Sequence, residues 1–165
     1  MNELFKIAET AVNKLKKAGL TVSTAESCTG GMMSQAITSV PGASGVFSLG
    51  MTTYSSEIKH SILGVSKKTL ALNGAVSRNT AKEMAVNIRC KAHSDIGVAI
   101  TGSAGPEPCE GKAPGTVYVA LATQNKAFVD KLIFENADRN SVRVQSVTAA
   151  FEMILSCIKR GNQDD

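Results

Sequence analysis

Three features of the chain predict a three-layer α/β/α sandwich with a mostly parallel, mixed central sheet. Short β-type runs alternate with helix-patterned segments along its 165 residues, the order that lays helices on both faces of a sheet. The run from Ile96 to Ile100 holds no polar side chain, as expected of a strand covered on both faces. The length suits one domain with one core, spanning 1–165.

The first segment, about 1–20, places Leu4, Ile7, Ala8, Ala11 and Leu15 on one helical face and stops at Gly19. Thr21 to Ala25 reads as a short buried strand, followed by the polar knot Glu26-Ser27-Cys28-Thr29-Gly30-Gly31. Met32 to Val40 is helical in character and ends at Pro41-Gly42. Val46 to Tyr54 reads as a strand, Glu57 to Leu63 as a short helix ending at Gly64, and Ser66 to Leu72 as another. Ser77 is a good N-cap for a long helix to about Ala92. The strand at Asp95 to Ile100 runs into Thr101-Gly102-Ser103-Ala104-Gly105-Pro106. No periodicity follows until Thr116 to Ala122, a β-rich run that pairs as a hairpin with Phe128 to Phe134. Asp138 caps a last helix to about Ile158, and 159–165 read as a frayed tail.

Composition narrows the function classes. Hydrophobic residues make up 43%, aromatic ones 4%, and Trp is absent, so Val, Ile, Leu, Ala and Met build the core. No apolar run reaches the roughly 20 residues of a membrane-spanning helix, and the charged N-terminus does not read as a signal peptide. A cytoplasmic protein with no membrane partner is expected. The net charge of +4 is scattered rather than clustered, which argues against nucleic acid and is compatible with a small anionic substrate. Two histidines and four cysteines without a C-x-x-C pair offer no zinc set, so no metal is expected. Cys90 and Cys157 read as small buried hydrophobes.

Two loops leave strands at the carboxyl end, where ligands bind in such sheets. Glu26 to Gly31 sits between strand and helix, so free N–H groups there could hold an oxyanion or phosphate; it could equally be a tight turn with a capping hydroxyl. Thr101 to Pro106 offers similar donors, or a plain strand-ending turn. Ser27 as a nucleophile needs a base. His60 and His93 both read as bland surface residues. Lys59, at a strand-to-helix junction with Tyr54, is the alternative if burial lowers its pKa, although such a lysine is ordinarily solvated. Cys28 is a rival nucleophile without a partner imidazole. Ser56-Glu57-Ile58-Lys59 matches S-x-x-K, but the companion S-D-N and K-T-G elements are absent. Arg139 and Arg143 share one helical face and could bind an anion.

The stretch Ala25-Glu26-Ser27-Cys28-Thr29-Gly30-Gly31 resembles the A-E-S-C-T-G-G signature of the CinA C-terminal domain family. The resemblance continues in Thr38 to Ser44, Thr53 to Lys59, Leu63-Gly64-Val65, Gly74 to Ser77, Asp95-Ile96-Gly97, Thr101 to Pro106, Pro114 to Val117 and Asp138-Arg139. It implies hydrolysis of nicotinamide mononucleotide to nicotinate mononucleotide and ammonia, without metal or cofactor, by a homo-oligomer of single-domain type. It implies Ser27 as nucleophile, Lys59 as base and then acid, and Tyr54 as their polariser. Thr29, Gly30 and Gly31 would give backbone donors; Thr101, Gly102, Ser103 and Gly105 would line the pocket; and Arg143 would meet the phosphate. The chain departs from the family at 107–112 (Glu-Pro-Cys-Glu-Gly-Lys, where glycines are usual) and at Arg78, where Glu is common. The altered loop motivates an alternative: a catalytically silent, nucleotide-binding or regulatory relative.

Overall fold

The computed structural model describes residues 3–161. Six helices, α1 (Glu3–Ala18), α2 (Met32–Thr38), α3 (Ser56–Ser61), α4 (Lys67–Asn73), α5 (Arg78–Ala92) and α6 (Arg139–Gly161), surround five strands, β1 (Val22–Glu26), β2 (Phe47–Thr52), β3 (Ile96–Gly102), β4 (Thr116–Ala122) and β5 (Ala127–Ile133). The sheet order is β2-β1-β3-β4-β5.

The β1 strand pairs in parallel with β2 and β3, whereas β3–β4 and β4–β5 are antiparallel. The sheet is thus mixed, with β4 alone running against the other four strands. The reason is the connection: no crossover helix joins β3 to β4, and a parallel return needs one. The interior strands are buried, apart from the half-buried Gly102 at the end of β3, with Ile96, Val98 and Ile100 of β3 on the same face as Val117, Val119 and Leu121 of β4.

Helices α1, α2 and α6 cover one face. Leu4, Ala8, Ala11, Val12 and Leu15 of α1 share a core with Val147, Ala150, Phe151 and Ile154 of α6 and with Val22, Ile96, Val98, Ile100, Val117 and Val119 of the sheet. Helix α5 covers the other face, where Ala81, Met84, Ala85 and Ile88 pack on Ala25, Ala99 and Ala120. Small strand residues there let a helix approach closely; a Cβ on Gly97 would lie 2.2 Å from the Ala85 carbonyl oxygen. Helix α6, at 23 residues, is long and apolar enough by length and composition to cross a membrane, but its apolar side chains fill this core. It stays helical through Gly161, three residues beyond Ile158; the remainder of the expected tail, 162–165, lies outside the described residues.

Helix starts follow local capping. Ser55, Ser66 and Ser77 each accept the N–H three residues on. Cys90 is exposed and Cys157 only half-buried, correcting the expectation of two buried thiols. On α5 the buried face is Thr80, Ala81, Met84, Ala85 and Ile88, and a residue two positions past Ile88 turns away from it.

Candidate active site

The carboxyl ends of β1 and β3 open on one cleft of about 150 Å³, lined by residues that include Ser27, Cys28, Tyr54, Lys59, Thr101, Gly102, Ser103, Gly105 and Arg139. Ser27 follows directly on β1, its N–H donating to the Ile100 carbonyl at 3.0 Å, so the sheet itself fixes the nucleophile candidate. The chain then turns through Gly30 (φ 62°) and Gly31 (φ 94°) into α2, backbone that glycine adopts without strain. A buried carboxylate locks this turn. Glu26 accepts from the N–H of Met33 (3.0 Å), the N–H of Ser34 (2.9 Å) and the Ser34 hydroxyl (2.9 Å), placing negative charge at the positive end of α2.

Lys59 is the largest fully buried side chain, 1% exposed. Helix α3 follows β2 by a sharp turn and points this residue back under the strand ends. Its Nζ donates to the Thr53 carbonyl (2.8 Å) and the Tyr54 carbonyl (3.1 Å) and lies 2.8 Å from Ser27 Oγ. Burial lowers its pKa from 10.5 to about 8, with Cys28, Glu110 and Cys109 acting the other way. The neutral amine has two N–H groups and one lone pair. The two carbonyls take the former, and the lone pair is left for the Ser27 hydroxyl. A buried base, hydrogen-bonded to a hydroxyl on a strand-to-helix turn, is the arrangement that generates an alkoxide-like nucleophile.

Cys28 is a poor rival. Burial pushes its thiol up to about 11, so it stays protonated at neutral pH. His60 shares its Nδ1 with the Val65 carbonyl (2.8 Å), and His93 is the exposed left-handed C-cap of α5. Neither lines the cleft.

Tyr54 touches the lysine through its carbonyl. The residue is 63% exposed, and its phenol oxygen accepts from Arg139 Nη2 at 3.4 Å. Arg139 also donates to the Gly105 carbonyl (2.6 Å), so this arginine stands at the cleft wall. Arg143 turns to the nucleophile turn and donates to the Thr29 carbonyl (3.0 Å). The i, i+4 spacing put both arginines on one face but could not say which would reach the cleft. Within the turn, the Gly30 N–H is engaged by the Ser27 carbonyl (3.1 Å). Among the described residues, the N–H groups of Cys28, Thr29 and Gly31 have no backbone acceptor. Cys28, next to the nucleophile, is the one of these three residues that lines the cleft.

Glu110 carried no signal in the sequence. The loop at 107–112 folds into a tight turn in which Cys109 and Lys112 exchange both backbone bonds and Glu110 and Gly111 have φ 50° and 71°. The Glu110 carboxylate accepts from the Val76 N–H at 3.0 Å. It thereby clasps this loop to the α4–α5 connection, whose Ala75 and Val76 form the facing cleft wall. Among the described residues no group of three His, Cys, Asp or Glu gathers to hold a metal.

The family model for the CinA C-terminal domain matches residues 4–158. A competence-damage inducible protein of Caldanaerobacter subterraneus subsp. tengcongensis is 49% identical over 161 residues, covering 97% of this chain and 39% of the relative. A CinA-like protein of Kosmotoga olearia is 46% identical over 149 residues, with 90% and 36% covered. The chain thus spans less than two fifths of the length of these curated relatives. Solved structures match nearly whole. A CinA superfamily protein of Klebsiella pneumoniae superposes with a TM-score of 0.93 at 31% identity, covering 96% of this chain and 99% of that one. The competence/damage inducible protein CihA of Agrobacterium tumefaciens gives 0.90 at 34%, covering 94% and 96%. With a family match across almost the full chain and a common fold, this chain belongs to the CinA C-terminal domain family.

Proposed function

We propose that the chain is an amidohydrolase that converts nicotinamide mononucleotide to nicotinate mononucleotide and ammonia, with Ser27 as nucleophile and Lys59 as base. The 2.8 Å contact between the buried Lys59 Nζ and Ser27 Oγ carries the reading. The neutral amine takes the Ser27 proton as Oγ bonds to the carboxamide carbon. The oxyanion that forms faces the Cys28 N–H, the amide next to the nucleophile, which is the position used in strand-to-helix nucleophile turns. Collapse breaks the C–N bond while the Lys59 ammonium returns its proton to the departing nitrogen, giving ammonia and an ester on Ser27. Water then attacks the ester, Lys59 takes the water's proton, and Ser27 leaves with it. The cycle needs side chains and water alone.

Arg139 at the cleft wall and the net charge of +4 suit an anionic substrate. Tyr54 takes part through its carbonyl, which orients Lys59, and its phenol joins Arg139 at the mouth. The test is ammonia release by purified protein from nicotinamide mononucleotide, nicotinamide riboside and free nicotinamide. The mononucleotide should be turned over with by far the highest kcat/KM. No ammonia from any of the three would overturn the assignment.

A further inference from the structure

Thr101, Gly102 and Ser103 all line the cleft, but their side chains are not equally free. Thr101 Oγ1 donates to the Ala75 carbonyl at 2.8 Å. Gly102 has no side chain, and a Cβ there would lie 2.8 Å from the Thr116 carbonyl oxygen. The Ser103 backbone is tied at both ends: its N–H donates to the Thr116 carbonyl (2.8 Å), and its carbonyl accepts from the Gly115 N–H (2.7 Å). The Ser103 side chain, on a residue 2% exposed, has no hydrogen-bond partner. A buried hydroxyl without a partner carries its desolvation penalty uncompensated. The hydroxyls of Thr29 and Thr53 are also unpaired, but neither residue lines the cleft. Among the described residues, Ser103 alone combines a buried, unpartnered hydroxyl with a place in the lining of the cleft that Ser27 and Lys59 share.

We infer that the Ser103 hydroxyl is a substrate-contacting specificity group, left without a partner in the free protein and hydrogen-bonded to the carboxamide in the complex. This rests on the amidase reading. The cleft of about 150 Å³ is smaller than the roughly 300–1,000 Å³ of sites that enclose whole small molecules. It takes the carboxamide end of the ligand and leaves the remainder at the open mouth, beside Tyr54, Glu107 and Arg139. A hydroxyl both donates and accepts, so it can serve either the oxygen or the nitrogen of a carboxamide.

The test compares Ser103→Ala with wild type in three measurements. Thermal unfolding of the unliganded protein should be unchanged or shifted upward, because the substitution removes an unpaired polar group and breaks no hydrogen bond. Calorimetric binding of nicotinamide mononucleotide, with Ser27→Ala in both arms to prevent turnover, should weaken about tenfold on loss of the Ser103 hydroxyl. The kcat/KM for ammonia release should fall by a similar factor, with Ser103→Thr recovering part of it. A lowered unfolding temperature with unchanged affinity would make Ser103 structural and overturn the inference. So would equal affinity and equal kcat/KM. If wild type released no ammonia, the hydrolase reading would fail while calorimetry still judged the Ser103 contact; absence of any binding would count against both.

Discussion

Substituting Lys59 by Arg separates positive charge from basicity. A lysine with its ordinary pKa is neutral in only about 0.03% of molecules at pH 7. With the pKa lowered to about 8 by burial, about a tenth are neutral. The kcat/KM for ammonia release should therefore rise about tenfold between pH 7 and 9 and then level, the acid limb reporting the free enzyme's base. Arg cannot deprotonate in this range, so Lys59→Arg should lose about 10²–10⁴-fold, the usual contribution of a positioned base, and lose the limb as well. Stability supplies an independent reading of the same group. Its folded pKa lies below the unfolded value, so the unfolded chain binds more protons between pH 8 and 10.5 and stability rises across that window. The shift corresponds to about 3 kcal/mol, a cost present in full below pH 8 and gone above 10.5. Cys28, whose thiol burial pushes up to about 11, lowers stability above pH 9 in both proteins, so the rise should be read as the difference between denaturant titrations of wild type and Lys59→Met. A flat rate profile from pH 6 to 9, or more than about a tenth of wild-type activity in Lys59→Arg, a tenfold loss being far below that expected of a base, would refute the argument.

Substitutions at two further positions probe the supports of the site. Glu26→Ala removes three hydrogen bonds from the start of α2 and should cost about 3 kcal/mol or more in chemical denaturation, with turnover falling because Ser27 is the next residue. Glu110→Ala frees the 107–112 loop from Val76 and should raise KM more than it lowers kcat. Glu110→Gln keeps an acceptor for the Val76 N–H and should retain most of the affinity. Both changes remove a negative charge that raises the Lys59 pKa, so the acid limb should move to lower pH.

The alternation of strands and helices was legible from periodicity and turn residues, and the Ser77 cap expected from the sequence is formed; Ser55 and Ser66 cap α3 and α4 in the same way. The mixed sheet and its β4–β5 hairpin were legible too, but the antiparallel pairing of β4 with β3 was less so, although the lack of a helix between 103 and 115 was itself the clue. Ser27 was accessible as a residue on a strand-to-helix turn. Lys59 was not, since a lysine on a two-turn polar helix is ordinarily solvated; only the packing of α3 beneath the strand ends buries it, and the family resemblance supplied what periodicity could not. Glu26 caps a helix seven residues downstream, and Glu110 reaches across to a segment 34 positions away. Contacts of that kind depend on how the chain folds back, and no local pattern announces them.

The central claim is that Ser27, activated by Lys59, breaks the carboxamide of nicotinamide mononucleotide. The most direct measurement follows ammonia and nicotinate mononucleotide together, from wild type and Ser27→Ala at equal concentration and at pH 9, where Lys59 is largely neutral. Wild type should form the two products one to one. Ser27→Ala should fall by several orders of magnitude while still binding the mononucleotide. Comparable product formation by the two proteins would contradict the account.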